Sequence, residues 1–121
     1  MKNKIIKNIF LTIIYIFMCV LPVKGAAVSE EMLNSRRKYL EEKGIRKKSI
    51  DYYIEASKIY DTTNYKRREL LELSVKEDNR NDMSYIALGA WWYFMASSAK
   101  KNKKKEFFTN SLENYKMVNK L

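Results

Sequence analysis

The shortage of helix breakers is the feature that most constrains what this chain can fold into. Its one proline is Pro22, and its three glycines are Gly25, Gly44 and Gly89. The rest of the chain is rich in Lys, Glu, Leu, Ala and Met, residues that favour the helical state. We therefore expect residues 26–121 to form a single all-α domain of antiparallel helical hairpins, with about five helices.

Capping residues and hydrophobic spacing divide this domain into helices. Ser29 is a typical N-cap residue, and Gly44 followed by Ile45 is typical of a helix C-terminus, so the first helix is expected between them. Ser49 is expected to cap the second helix. The predicted helices cover about 29–43, about 49–61, a leucine-rich segment that ends near 77, about 83–99, and a segment around 107–115 that follows a lysine-rich turn.

The first 25 residues have the pattern of a secretory signal peptide. Three early lysines precede thirteen uncharged, mostly apolar residues at 9–21, and small residues offer a cleavage site after Gly25 or after Ala27. The apolar run is shorter than the roughly 20 residues that span a bilayer as a helix. We therefore expect an exported protein, periplasmic or extracellular at the cell surface, and a retained leader is the alternative.

The chain beyond this leader is basic and lacks the residues of several reactive sites. Without the leader's four lysines, 20 basic residues face 14 acidic ones, a net charge of +6. There is no histidine, and the one cysteine, Cys19, lies in the leader. These absences remove the common zinc and copper ligand sets and the Ser-His-Asp and Cys-His forms of catalysis. We predict a protein that is not an enzyme, with no metal and no cofactor; a carboxylate-dependent hydrolase is the remaining catalytic alternative.

The second half of the chain resembles the tetratricopeptide and Sel1-like repeat families. The residues that match their pattern are Tyr85, Leu88, Gly89, Trp92, Phe107, Phe108 and Ser111. The resemblance covers residues 50–119, but Glu106 stands where the families place a small residue, and their closing proline is missing. It implies a curved stack of antiparallel helices that binds a peptide or protein on its concave face. Since two hairpins are fewer than the usual three repeats, the first helix would act as a cap, or the protein would form a homo-oligomer.

An uncharged segment from Met83 to Ala99 contains four consecutive aromatic residues. Because successive side chains of a helix point about 100° apart, one neighbouring helix cannot cover all four. The segment is interpreted as a central helix covered on two sides, as a recognition surface, or as one span of a two-span membrane protein whose other span lies near 5–23. The predicted contacts of a protein or peptide partner are Trp91, Trp92, Tyr93 and Phe94.

A dense lysine run follows this segment. Its members are Lys100, Lys101, Lys103, Lys104 and Lys105. They are interpreted as a solvated turn between helices or as a patch that attracts an anionic envelope polymer or lipid. No nucleic-acid partner is expected, because aromatic residues do not alternate with these charges and the leader directs export. The sequence thus predicts an exported helical module that binds a protein or peptide in the cell envelope.

Overall fold

The computed structural model describes residues 28–121, and the regular secondary structure of this part is all α-helix, with no strand. The helices are α1 (Glu30–Glu42), α2 (Lys47–Ser57), α3 (Tyr65–Glu77), α4 (Asp82–Ser98) and α5 (Lys101–Lys120). The predicted all-α fold of five helices is confirmed for these residues. The predicted signal peptide lies outside the described residues.

Each helix packs chiefly against its neighbours in the chain, and the paired helices are antiparallel. Across α4 and α5, for example, Trp92 lies against Phe107, and the Ser111 hydroxyl donates a hydrogen bond to the Gly89 carbonyl. Because α3 and α5 cover α4 on two sides, α4 is a central helix. Within residues 28–121, no helix has both the length and the apolar character needed to cross a membrane.

The two ends of α1 follow the sequence signals. The Ser29 hydroxyl accepts a hydrogen bond from the Met32 amide at 3.2 Å, which confirms Ser29 as the N-cap. At the other end, Gly44 has a φ of 80°, and the Ile45 amide donates to the Leu40 carbonyl at 3.0 Å. Ile45 and Leu40 are both buried in the core, so this end is a Schellman cap with its apolar contact.

Three other predicted boundaries are wrong. Helix α2 begins at Lys47 without a side-chain cap, because Ser49 is buried and bonds to α3 instead. Helix α2 also ends at Ser57, short of residue 61, and Asn64 then caps α3 by accepting a hydrogen bond from the Lys66 amide at 2.8 Å. The lysine run is not a turn, since α5 already begins at Lys101.

A buried polar network, which we call the serine–asparagine cluster, joins α2, α3 and α4. It consists of Ser49, Ser74, Asn81 and Ser84, each 0 % exposed. The Ser49 hydroxyl donates to the Ser74 carbonyl at 2.7 Å, and the Ser74 hydroxyl donates to the Ser49 carbonyl at 2.8 Å. The Asn81 amide group donates to both hydroxyls, at 3.0 and 3.1 Å. Because Ser74 has already used its one hydrogen, the Ser84 hydroxyl, 2.7 Å away, is the donor to Ser74.

A second polar link ties the loop between α1 and α2 to the loop between α3 and α4. The Asp78 carboxylate accepts hydrogen bonds from the Arg46 amide at 2.9 Å and from the Arg80 guanidinium at 2.9 and 3.0 Å. Arg80 in turn donates to the Gly44 carbonyl at 2.9 Å. The Arg80 side chain above all, with the backbone amides of Arg46 and Arg80, holds the pKa of the Asp78 carboxyl well below its usual range although burial acts in the opposite direction.

Helices α4 and α5 approach closely at Gly89. A Cβ atom at this position would lie 2.6 Å from Cδ1 of the Tyr115 ring, closer than carbon atoms can approach. Only glycine therefore lets the Tyr115 ring pack on α4 at this point.

Replacement of Ser74 by alanine should destabilise the fold. It removes the acceptor of the Ser84 hydroxyl, the side-chain donor to the Ser49 carbonyl and one of the two acceptors of the Asn81 amide, which costs about 1–3 kcal/mol of unfolding free energy. Urea unfolding followed by circular dichroism measures this cost. In the matched control, Ser97→Ala, an exposed hydroxyl is lost and the change should stay within about 0.5 kcal/mol. Equal effects of the two substitutions would show that the cluster does not stabilise the fold.

Replacement of Asp78 by asparagine should destabilise the protein at neutral pH by about 1–3 kcal/mol. It removes the negative charge to which the Arg46 amide and the Arg80 guanidinium donate their hydrogen bonds. Since the folded-state pKa of Asp78 is lowered, its contribution is complete above the carboxyl's ordinary pKa of about 4 and declines as pH falls further. Urea unfolding should therefore show a smaller difference in unfolding free energy between parent and variant at about pH 2.5 than at neutral pH. A difference that stays constant with pH would contradict this account. Asp51→Asn is the control with a smaller expected cost, because that carboxylate is 42 % exposed.

Candidate partner-binding site

The four consecutive aromatic residues of α4 point in different directions. Trp91 is 1 % exposed, and its indole Nε1 donates a hydrogen bond to the Asn64 carbonyl at 3.1 Å. Trp92 is partly buried, with its ring 5.3 Å from that of Phe107 on α5. The next two, Tyr93 and Phe94, are exposed and partly buried respectively. The aromatic run thus serves both the core and the surface.

Trp91 was predicted from the sequence to contact a partner, but in the structure it is buried. Its ring lies between α3 and α4, and its hydrogen bond fixes it to the residue that caps α3. A partner could reach this ring only if the helices separated. Trp92, Tyr93 and Phe94 keep part of their surface accessible and stay candidate contacts.

Arg68 lies among three aromatic rings, and we call this group the arginine–aromatic cluster. Its guanidinium carbon is 5.3 Å from the centre of the Tyr65 ring, 5.0 Å from that of Trp91 and 5.4 Å from that of Trp92. At these distances the negative faces of the rings attract the cation. The rings also touch one another, with centres 5.6 Å apart for Tyr65 and Trp91 and 5.0 Å apart for Trp91 and Trp92. The guanidinium is therefore held in position before any partner arrives.

Local sequence explains how the cluster forms. Asn64 starts α3, and Tyr65 and Arg68 are three residues apart, so both lie on one face of that helix. The same Asn64 accepts the hydrogen bond of Trp91 through its carbonyl, which brings the C-terminal half of α4 against the start of α3. Phe107 of α5 then packs against Trp92, with the two ring centres 5.3 Å apart. Three helices thus build one cluster.

The cluster retains hydrogen-bonding capacity and accessible surface. Within residues 28–121, Nε of Arg68 is buried and makes no hydrogen bond, although Oε1 of Glu72 lies 3.5 Å away, at ion-pair distance. The Arg68 side chain is 26 % exposed and Tyr65 is 59 % exposed. Because Nε is buried, an incoming carboxylate would meet the accessible part of the guanidinium, with aromatic surface beside it.

The predicted lysine patch lies elsewhere, at the start of α5. Lys100 precedes the helix, and Lys101, Lys103, Lys104 and Lys105 occupy its first turns, all of them exposed. Lysines at a helix N-terminus oppose the helix dipole, and the first turn of α5 contains no acidic residue. The described residues supply one ion pair to this group, between Lys103 and Glu106 at 3.4 Å. The run is thus a concentrated positive surface and not a connecting turn.

Beside these lysines, three large apolar side chains are exposed. Tyr93 of α4 is 51 % exposed, and Phe108 and Leu112 of α5 are 43 % and 54 % exposed. The rings of Tyr93 and Phe108 lie 5.9 Å apart. The structure therefore brings one predicted contact, Tyr93, close to α5, while Trp92 belongs to the arginine–aromatic cluster.

Comparison with protein-family models, curated proteins and solved structures found no match to this chain. The resemblance to tetratricopeptide and Sel1-like repeats therefore stays a prediction. Among residues 28–121, no group of three or more acidic, histidine or cysteine side chains is placed to hold a metal ion.

Substitutions at the two tryptophans should separate core from surface. Trp91→Phe removes the hydrogen bond to the Asn64 carbonyl and part of a buried ring, so we expect the unfolding free energy to fall by about 2–4 kcal/mol. Trp92→Phe keeps an aromatic ring at a partly exposed position and should cost less than about 1 kcal/mol. Thermal unfolding of both variants measures the difference. Equal losses would contradict the division of roles between these neighbours.

Proposed function

We propose that the protein is an exported interaction module that binds a protein or peptide partner in the cell envelope and performs no catalysis. Its contact surface is the accessible part of the arginine–aromatic cluster, formed by Tyr65, Arg68 and Trp92. The observation that carries the proposal is the position of the Arg68 guanidinium among three rings, with Tyr65 exposed at its side.

The composition of this surface supports a binding role. Tyrosine, tryptophan and arginine are the residues most enriched at the hot spots of protein interfaces. Here each is already fixed by packing, so a partner that binds does not have to order a flexible arginine side chain. Ordering a long side chain costs on the order of 1 kcal/mol, which this arrangement removes from the binding step.

The chemistry of the cluster also indicates what the partner presents. The guanidinium favours a carboxylate, from an acidic side chain or a chain terminus, and the rings of Tyr65 and Trp92 favour an apolar group beside it. Glu72 lies 3.5 Å from Arg68 and is 53 % exposed, so an incoming carboxylate would compete with it. Antiparallel hairpins of this kind, the resemblance to repeat families and the signal-peptide pattern support an exported module that acts by binding.

Site-specific photo-crosslinking in the native cells tests the proposal. A photoreactive phenylalanine analogue replaces Tyr65 in one strain and Tyr60 in another; the two tyrosines are matched, at 59 % and 61 % exposed. We expect a discrete protein adduct from position 65 and none from position 60, recovered with periplasmic or extracellular material. Position 60 is the control because it lies five residues from position 65 and outside the cluster.

A second substitution makes the result specific to the cluster. Adding Arg68→Gln to the position 65 strain removes the cation and should reduce the adduct at least about tenfold, the effect of losing one charged hydrogen bond. The proposal fails if both positions crosslink equally, if position 65 gives no adduct, or if Arg68→Gln has no effect while circular dichroism shows a folded chain.

A further inference from the structure

The positive charge of the described chain is concentrated in its last helix. Residues 100–121 contain seven lysines, no arginine and two glutamates, a net charge of +5. Residues 28–121 as a whole carry 20 basic and 14 acidic side chains, a net charge of +6. The remaining helices and loops are therefore nearly neutral, and α5 determines where an anionic surface would be attracted.

The lysines and the exposed apolar side chains lie on one flank of α5. Residues three, four and seven positions apart share a face of a helix, so Lys101, Lys104 and Lys105 line up with Phe108 and, one turn further, with Leu112. We call these five residues the basic flank. The acidic residues of α5, Glu106 and Glu113, lie on other sides of the helix.

The neighbouring helix extends the apolar part of this flank. The exposed Tyr93 ring of α4 lies 5.9 Å from Phe108, so the three exposed apolar side chains belong to one surface. Among the described helices, α5 packs chiefly on α4. In the described structure its basic flank is accordingly left to solvent.

From this arrangement we propose that the basic flank of α5 docks on the surface of an anionic lipid bilayer. The lysines lie at the lipid phosphates, and Phe108, Leu112 and Tyr93 enter the boundary between the headgroups and the acyl chains. This combination of lysines with phenylalanine and leucine on one helix is typical of segments that lie in the membrane interface. The inference concerns a different surface from the arginine–aromatic cluster and does not depend on it.

The composition of the flank argues against two other occupants. Arginine is enriched and lysine is depleted at protein–protein interfaces, whereas all the basic residues of 100–121 are lysines. A second copy of the chain would place another segment 100–121, of charge +5, against the first, which is repulsive. Long, flexible lysines suit a layer of mobile headgroups, where no fixed geometry is needed.

Vesicle co-sedimentation of the full chain tests this proposal. Vesicles of neutral phosphatidylcholine are compared with vesicles that contain about 30 % phosphatidylglycerol, which reproduces an anionic surface. We expect binding to rise with the anionic lipid and to fall in about 0.5 M salt, because salt screens exposed charges. The apolar residues at 9–21 and the four lysines of the leader are present in every variant, so the contribution of α5 is measured as the difference between variants on the same anionic vesicles.

Two sets of substitutions of equal charge assign the effect to α5. Lys101→Gln, Lys104→Gln and Lys105→Gln together should weaken the anionic-lipid binding by roughly tenfold or more. The control is Lys38→Gln, Lys58→Gln and Lys66→Gln, which removes three exposed lysines that lie outside α5 and should retain most of the binding. Phe108→Ser with Leu112→Ser should also weaken binding severalfold, while circular dichroism shows that the helices remain.

Each contrary outcome overturns the proposal. Equal loss from both lysine sets would mean that net charge alone attracts the protein. Full binding by the Phe108 and Leu112 variant would mean that no side chain enters the bilayer. If the protein bound soluble polyphosphate as tightly as anionic vesicles, and the Phe108 and Leu112 substitutions did not weaken that binding, the flank would be assigned to an anionic polymer. A dimer in sedimentation velocity that the apolar substitutions abolish would assign it to a second copy of the chain.

Discussion

Three buried serines and one asparagine hold the centre of this fold. All their donors and acceptors are satisfied only when α2, α3 and α4 are in place, because each helix supplies one serine and the loop before α4 supplies Asn81. Apolar contacts alone are non-directional and allow helices to shift along one another, whereas a buried hydroxyl without a hydrogen-bond partner destabilises the folded state. The serine–asparagine cluster therefore sets the register of the three helices. No other buried polar group in the described chain connects so many elements.

The register of α4 decides what its aromatic residues can do. With Ser84 held in the cluster, Trp91, two turns further along, faces α3, and Trp92 turns toward α5. The ring of Trp91 then packs against the Arg68 guanidinium, and Tyr93 and Phe94 keep accessible surface. One run of aromatic residues thus supplies core packing and a candidate contact surface, which is why the segment looks equally suited to both in the sequence.

Features that depend on neighbours in the chain were predictable, and features that depend on distant partners were not. Ser29 and Gly44 act within a few residues, so their capping roles follow from the sequence. Ser49 looks like a cap, but its partner Ser74 lies 25 residues away and draws it into the core. Similarly, the spacing of Tyr65 and Arg68 was visible, whereas the approach of Trp91 from another helix was not. The lysine run was misassigned as a turn because packing of α5 on α4 outweighs an unfavourable helix start.

The polar link between the two loops has a consequence for the order in which the chain assembles. Contacts between successive helices span short stretches of chain and can form rapidly. The bonds of Asp78 and Asn81 to α2 and the loop before it span 32 residues, and that of Asp82 to Tyr39 spans 43. Until the start of α4 is synthesised, the Ser49 and Ser74 hydroxyls have each other's carbonyls as acceptors but lack the bonds that the Asn81 amide and the Ser84 hydroxyl donate to them. The start of α4 therefore completes the network and joins three helices into one hydrogen-bonded unit.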